Sequence, residues 1–208
     1  MSAKLRTAVL ISGRGSNLQA LIDACAEPGF PAEIVVVLSN VAAAAGLERS
    51  RKAGISTVVI DHRGYPDRES FDAAMDARLR EAGTEFVCLA GFMRLLSPSF
   101  VQRWEGRIVN IHPSLLPAFK GLHVHEQVLA AGVSMSGCTV HYVIAELDAG
   151  ATILQGEVPV REGDTPYTLA GRILEREHRI YPQALKLVAE GKVRLENGRA
   201  VFGEGAPP

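Results

Sequence analysis

Short apolar runs alternate with helical patterns along the first half of the chain. Five predominantly apolar runs predict buried strands, at 7–11, 34–38, 57–60, 86–90 and 108–111. Between them, apolar residues recur at helical spacing, which predicts helices after residue 17, at 42–53 and at 68–82. Strands that are apolar throughout and alternate with helices are typical of a mainly parallel sheet that helices cover.

The pattern changes after residue 117. One helix is predicted at 123–131, and two longer runs follow at 138–144 and 151–160. These runs alternate more between apolar and polar residues and are joined by a short turn, which predicts an antiparallel pair of strands. The second half is therefore expected to add mixed and antiparallel structure to the parallel sheet.

The C-terminal region predicts one helix and one hairpin. The helix begins near Thr165, and Pro182 is expected to interrupt or kink it because proline lacks the N–H that the helix needs. Short runs at 193–195 and 200–202 flank an Asn-Gly pair, which favours a tight hairpin turn. Both elements are expected to pack within the same compact domain as the sheet.

Composition narrows the classes of function. The formal net charge is −1 and no long basic run occurs, so neither a nucleic-acid surface nor a membrane surface is predicted. No apolar run reaches transmembrane length, and the N-terminal run is a short strand broken by Gly13, unlike a signal peptide. Cys25, Cys88 and Cys138 are odd in number and lie among apolar residues, which is typical of reduced thiols in a cytoplasmic protein.

A glycine-rich loop, residues 12–17 (SGRGSN), separates the first predicted strand from the first predicted helix. Backbone N–H groups and the helix dipole favour an anion there, and glycines let a phosphate approach the backbone. The dinucleotide-binding pattern is not met, because Leu18 occupies the third glycine position and the second strand ends in Ser39 and Asn40, with no carboxylate. A single phosphate fits best, and a plain strand–helix connection is the alternative.

Asn110 and His112 lie where the fifth predicted strand ends, and Pro113 stops that strand. Residues two apart in a strand point to the same side, and open α/β sheets bind ligands where their strands end. The pair therefore predicts a small catalytic centre with one hydrogen-bond donor and one titratable group. The alternative is that Asn110 caps a turn and His112 packs in a loop.

Other polar residues of the second half admit more than one interpretation. His123, His125 and His141 join His112 in a group that suggests a metal site, but no two histidines are four apart on a helix. Asp148 lies in an Asp-Ala-Gly turn, where aspartate is favoured for structural reasons. If it instead folds back toward His112, its charge would favour a protonated imidazole.

Four segments carry a resemblance to a known family: 12–17, 89–94 (LAGFMR), 110–117 (NIHPSLLP) and 146–150 (ELDAG). In this order they resemble the phosphoribosylglycinamide formyltransferases, a folate-dependent formyltransferase family of purine synthesis, over about residues 7–190. The resemblance implies the formyltransferase fold, an α/β fold whose mostly parallel, Rossmann-like sheet is flanked by helices and has a mixed, antiparallel C-terminal extension.

The resemblance also implies one formyltransferase domain, 1–208, and its site residues. Residues 1–105 would form the nucleotide-phosphate-binding half, and 106–208 the catalytic and folate-binding half. The implied catalytic residues are Asn110, His112 and Asp148. The implied ribonucleotide-binding residues are Gly15, Ser16, Asn17 and Glu177. The implied folate-binding residues are Arg68, Met93, Arg94, Leu95, Leu96, Asn110, Val143, Ile144 and Ala145. One departure from the family is Lys120, which stands where a proline often precedes the loop glycine.

The activity that the resemblance implies is transfer of the formyl group from 10-formyltetrahydrofolate to the glycinamide amine of 5-phosphoribosylglycinamide. The products would be formylglycinamide ribonucleotide and tetrahydrofolate, in de novo purine (IMP) biosynthesis, with no metal required. The expected partners are these small molecules, with a homodimer as a further option. Two alternatives on the same fold are a formyltetrahydrofolate hydrolase and a folate- or nucleotide-binding regulatory module without catalysis.

Overall fold

The computed structural model describes residues 3–205. It divides the chain into two compact units, Met1–Val109 (unit 1) and Asn110–Pro208 (unit 2). Among the described residues, no helix combines the length and the apolar composition that crossing a membrane requires.

Unit 1 is built on parallel strands. Its strands are β1 (Leu5–Ile11), β2 (Ala32–Ser39), β3 (Thr57–Val59) and β4 (Phe86–Leu89). Its helices are α1 (Ser16–Ala26), α2 (Gly46–Lys52), a 3-10 helix (His62–Gly64), α3 (Arg68–Glu81) and α4 (Pro98–Arg103). β1 pairs in parallel with β2 and with β4, and β2 pairs in parallel with β3, which gives the order β3-β2-β1-β4. The parallel arrangement predicted from the apolar runs is confirmed.

The β1 and β4 strands form the core of unit 1. The last five residues of β1 and all four residues of β4 are buried. A strand that is buried on both faces has no polar side to alternate with, which explains its continuous apolar sequence. Each strand leads toward a loop and a helix, so the polar residues of 12–17 are held at the end of a rigid, buried element.

Unit 2 holds the antiparallel part of the fold. Its elements are the end of β5 (Ile108–His112), α5 (Val124–Ala131), β6 (Met135–Tyr142), β7 (Thr152–Pro159), α6 (Pro166–Ala189), β8 (Val193–Glu196) and β9 (Arg199–Phe202). β6 and β7 pair antiparallel, as do β8 and β9. The long helix α6 packs on both β6 and β7. Both predicted antiparallel pairs are confirmed.

The helices differ from the prediction at three places. The helix expected at 42–53 begins only at Gly46, and α4 was not predicted although Ser97 caps it and Pro98 opens it, as both residues commonly do. Pro182 was expected to interrupt or kink α6, and the interruption is not found, because the helix runs continuously past it. A proline inside a helix costs about 3 kcal/mol, and the buried face of α6, which includes Ile173 and Tyr181, offsets that cost.

Candidate functional site

His112 and Asp148 form a buried pair in unit 2. Nδ1 of His112 lies 3.4 Å from Oδ2 of Asp148, and each side chain is only 6% exposed. Nε2 of His112 lies 2.9 Å from the carbonyl oxygen of Phe119. A carbonyl can only accept a hydrogen bond, so Nε2 carries a hydrogen in this contact. An imidazole with hydrogens on both nitrogens would satisfy the carbonyl and the carboxylate together.

Asp148 is held in place by the turn that carries it. Its backbone has a φ of 49°, a left-handed conformation that aspartate tolerates better than most residues. Its Oδ2 also accepts a hydrogen bond from the backbone N–H of Gly121 at 3.0 Å. At the end of the same turn, a Cβ on Gly150 would lie 1.8 Å from the carbonyl oxygen of Tyr142, so only glycine fits there. The turn thus directs the carboxylate inward toward His112.

His141 links Asn110 to the same carboxylate. Its Nδ1 lies 2.8 Å from the carbonyl oxygen of Tyr142, and its Nε2 lies 3.4 Å from Nδ2 of Asn110 and 3.8 Å from Oδ1 of Asp148. Burial lowers the pKa of His141, which favours the neutral ring. A neutral ring that donates from Nδ1 can accept the Asn110 amide at Nε2, which orients that amide.

Asn110, His112 and Asp148 therefore lie together, as their predicted roles require, with His141 as a fourth member of the group. These four residues are called the carboxylate cluster below. Sequence reasoning had counted His141 only as one of four histidines of a metal hypothesis. The sequence signal for His141 was its position in an apolar strand, where a buried polar side chain needs a hydrogen-bond partner. Within residues 3–205, no group of three or more His, Cys, Asp or Glu side chains is placed so that it could hold a metal ion.

The loop that follows β5 is tied to β6 and β7. Thr139 Oγ1 donates to the carbonyl of Ser114 at 2.7 Å and accepts the N–H of Leu116 at 3.0 Å. Gln155 Nε2 donates to the carbonyl of Leu116 at 2.8 Å. Because these bonds fix the start of the loop, they support the Phe119 carbonyl that contacts His112. Thr139 and Gln155 were not predicted, since nothing local in the sequence shows which strand residue holds a distant loop.

Lys120 connects this loop to the turn between β6 and β7 through an ion pair. Its Nζ lies 3.2 Å from Oε1 of Glu146, in the turn that carries Asp148. The ion pair is solvent-exposed, with the glutamate side chain 73% exposed. Such pairs contribute little stability, roughly 0–1 kcal/mol. At this position, where the family resemblance implies that a proline is often found, the chain therefore has a weak charge contact between the two segments.

The glycine loop of unit 1 is shaped by a close approach of α2. Gly15 has a φ of 71°, and a Cβ added to it would lie 2.6 Å from the Cα of Gly46. The N–H of Gly46 donates to the carbonyl of Gly13 at 3.0 Å, and Arg49 Nε donates to the carbonyl of Arg14 at 2.9 Å. Two carbonyl oxygens of the loop are thus occupied by α2. Because α2 engages these two oxygens, they repel an anion at the backbone N–H groups of the loop less strongly.

Gly46 and Arg49 were not predicted as parts of this loop. Both lie about 30 residues downstream, inside a segment interpreted as an ordinary helix. The usable signal was the glycine itself, because a glycine within a predicted helix often marks a close packing contact. The structure also shows that α2 begins at this glycine.

The residues predicted to bind folate fall into three places. Arg68 is exposed at the first position of α3, behind the cap that Asp67 forms with the Ser70 N–H. Met93 and Leu95 are 68% and 56% exposed. The third place is the turn between β6 and β7, which holds Val143, Ile144 and Ala145.

The chain resembles known proteins over most of its length. The formyl transferase family matches residues 5–185. The trifunctional purine biosynthetic protein adenosine-3 of Bos taurus is 60% identical over 94% of this chain, which spans 20% of that protein's length. The phosphoribosylglycinamide formyltransferase of Escherichia coli (strain K12) is 45% identical over 96% of this chain and 95% of its own.

Solved structures agree with these sequence relatives. The crystal structure of glycinamide ribonucleotide transformylase 1 from Symbiobacterium toebii matches with a TM-score of 0.94 and 50% identity, over 97% of this chain and 95% of the other. Agreement over nearly the whole chain confirms the predicted fold. A family match to most of the chain, with a full-length relative at 45% identity, leaves one assignment: the chain belongs to the formyl transferase family.

Proposed function

We propose that the chain transfers the formyl group of 10-formyltetrahydrofolate to the glycinamide amine of 5-phosphoribosylglycinamide. The observation that carries the proposal is the buried carboxylate cluster, in which Asp148 lies 3.4 Å from His112 and 3.8 Å from His141, and His141 lies 3.4 Å from the Asn110 amide. The identity to phosphoribosylglycinamide formyltransferase over nearly the full length supports the choice of amine and donor. The products would be formylglycinamide ribonucleotide and tetrahydrofolate.

The first step forms a bond between the amine nitrogen and the formyl carbon. The carbonyl electrons move onto oxygen, and the tetrahedral intermediate carries an oxyanion. Asn110 would donate to this oxyanion from the amide that His141 orients, and His112 would donate from Nε2. Donors fixed in advance in a buried site are the main source of stabilisation for such intermediates.

His112 must exchange one hydrogen bond before it can donate to the oxyanion. Nε2 faces the Phe119 carbonyl in the present structure, so this hydrogen bond must exchange for one to the oxyanion. Phe119 has a φ of 55°, and the neighbouring Lys120 forms an exposed ion pair with Glu146. In this exchange Nδ1 of His112 would keep its contact with Asp148.

The second step breaks the bond between the formyl carbon and the folate nitrogen. The amine must lose a proton and the leaving nitrogen must gain one. Asp148 would balance the charge on His112 while this proton moves, with water as the carrier. No step calls for a metal ion.

The remaining site residues are assigned by the family resemblance. Gly15, Ser16 and Asn17 would hold the ribonucleotide phosphate, with Glu177, which is 6% exposed on α6, on the same substrate. The folate would contact Arg68, the exposed segment 93–96 and the turn 143–145. The glycine loop supports the phosphate assignment because α2 occupies the Gly13 and Arg14 carbonyls. The division into a nucleotide-phosphate-binding half, 1–105, and a catalytic and folate-binding half, 106–208, stays a prediction, and the folate residues Arg68 and 93–96 and the ribonucleotide residue Glu177 cross it.

A turnover assay tests the proposal. Tetrahydrofolate formation is followed by absorbance with 10-formyltetrahydrofolate alone and with added 5-phosphoribosylglycinamide. Turnover only when the ribonucleotide is present is the expected result. Turnover at the same rate without it would identify a hydrolase, and binding without turnover would identify a regulatory module. A cytoplasmic location and a homodimer stay predictions, and light scattering on the purified chain measures the second.

A further inference from the structure

Ser12 is the first residue after β1, and it makes three hydrogen bonds within unit 1. Its backbone N–H donates to the carbonyl of Gly91 at 3.1 Å. Its hydroxyl oxygen accepts the backbone N–H of Met93 at 2.8 Å and donates to Oδ1 of Asn40 at 2.5 Å. One small side chain thus connects the start of the glycine loop to the exposed segment that begins at Gly91.

The Asn40 side chain, which accepts the hydrogen bond of the Ser12 hydroxyl, is itself held in place. Asn40 is 4% exposed, and its Nδ2 lies 3.3 Å from Nδ1 of His62, to which an amide can only donate. With both amide groups engaged, Asn40 orients the Ser12 hydroxyl so that its oxygen faces Met93. In the segment that this contact holds, Gly91 has a φ of 73° and the Met93 side chain is 68% exposed.

We propose that Ser12 is a positioning residue that couples occupancy of the glycine loop to occupancy of segment 93–96. An anion on the backbone N–H groups of the loop would displace the backbone that follows Ser12, and the hydroxyl would transmit this displacement to the Met93 N–H. Both ligands then favour the same arrangement of Ser12 and Met93, so each ligand binds more tightly when the other is present. The identity of the two ligands, a phosphorylated sugar and a folate, rests on the proposed function.

Calorimetry on the full chain measures this coupling without turnover. Tetrahydrofolate is titrated into the protein with and without saturating ribose 5-phosphate, which carries the phosphate but no amine. For the wild-type chain the affinity for tetrahydrofolate is expected to increase on the order of 5-fold when the sugar phosphate is present. In Ser12→Ala this ratio is expected to be lost, and in Ser12→Thr, which keeps a hydroxyl, it is expected to persist.

Ser39→Ala is the matched control. Its hydroxyl is also buried in unit 1, but it bonds only locally, accepting the N–H of Val41 at 3.0 Å and donating to its carbonyl at 2.9 Å. Loss of a purely structural hydroxyl would lower stability and leave the ratio of affinities unchanged. The control is therefore expected to keep the wild-type ratio. If Ser12→Ala fails to fold, Ser12→Cys keeps the shape without a strong hydroxyl and is expected to lose the ratio.

Two outcomes would overturn the inference: a wild-type chain in which ribose 5-phosphate leaves tetrahydrofolate affinity unchanged, or a folded Ser12→Ala that keeps the wild-type ratio. The turnover assay separates this failure from failure of the proposed function. Formyl transfer in the wild-type chain with no coupling refutes the role of Ser12 alone. Coupling without formyl transfer supports the role of Ser12 and refutes the proposed reaction.

Discussion

The glycine loop and the carboxylate cluster are built from different atoms of the chain. In the loop, backbone groups set the geometry: Gly15 packs on Gly46, and the carbonyls of Gly13 and Arg14 are bonded to α2. In the cluster, side chains set the geometry through their contacts with one buried carboxylate. The two sites should therefore fail in opposite ways. Adding an atom should damage the loop, and removing atoms should damage the cluster.

This contrast follows from what each ligand would require. A phosphate can be held by backbone N–H groups, which every residue except proline supplies, so the loop needs shape more than side-chain identity. An oxyanion and a moving proton require groups with particular acid–base properties, which only side chains supply. Substitutions in the two regions can therefore test both assignments independently.

The largest expected effect is loss of turnover when a donor is removed from the cluster. Asn110→Ala and His112→Ala are each expected to lower kcat by about 10²–10³-fold, because one oxyanion donor is lost. Ribonucleotide affinity should stay close to wild type, since the glycine loop is untouched. Steady-state kinetics and calorimetry measure the two quantities. Near-normal kcat in either folded variant would contradict the catalytic assignment.

Removing the charge of the cluster should have the next largest effect. Asp148→Asn keeps an oxygen for the Gly121 N–H but no longer presents a negative charge to His112. A loss of about 10²-fold in kcat is expected, the lower end for general acid–base catalysis, together with a displaced pH–rate profile. Glu146→Gln, which removes an exposed carboxylate from the same turn, is the control and should keep both. An unchanged profile in Asp148→Asn would contradict its role.

The sequence predicted the cluster in part, and the reason is geometric. Strand periodicity placed Asn110 and His112 on one side, because side chains two apart point the same way. It could not place Asp148 near His112, since that contact depends on how the turn between β6 and β7 folds back. His141 and Thr139 were missed for the same reason. Their partners lie 31 and 25 residues away in the chain.

For the glycine loop, the position in the chain could be predicted from the sequence and the packing contact could not. Its place between β1 and α1 follows from local signals and was predicted correctly. Its close packing on Gly46 was not, because a contact between backbones carries no side-chain signature in either segment. The continuous α6 teaches the same lesson at the level of the fold. Local propensity at Pro182 predicted an interruption or a kink, and burial of the helix against β6 and β7 keeps it continuous.

An added methyl group should damage the loop without affecting the chemistry. Gly15→Ala places a Cβ 2.6 Å from the Cα of Gly46 and forces a left-handed residue, which costs about 1–3 kcal/mol of unfolding free energy. Ribonucleotide KM should rise more than kcat falls. Gly13→Ala is the control, because its Cβ would meet no atom within 4 Å. Equal effects of the two substitutions in urea unfolding and in KM would contradict the packing argument.

The smallest expected effect concerns how the free energy of unfolding depends on pH, to which the cluster contributes and the loop does not. Backbone groups of the loop do not titrate near neutral pH, whereas burial lowers the pKa of His141 in the cluster. As pH falls through about 6.5, the unfolded chain gains a proton at this position that the folded chain does not, so the free energy of unfolding should decrease. His141→Asn keeps a donor for the Tyr142 carbonyl but cannot titrate. The free energy of unfolding of this variant should therefore decrease less between pH 7.5 and 5. One group contributes at most about 1.4 kcal/mol per unit of difference between its folded and unfolded pKa.

Urea unfolding at both pH values measures the difference, and the measurement at pH 7.5 serves as the internal control for the substitution itself. The same slope in both proteins would show that His141 is not held neutral by burial, and the orientation of the Asn110 amide would then require another explanation.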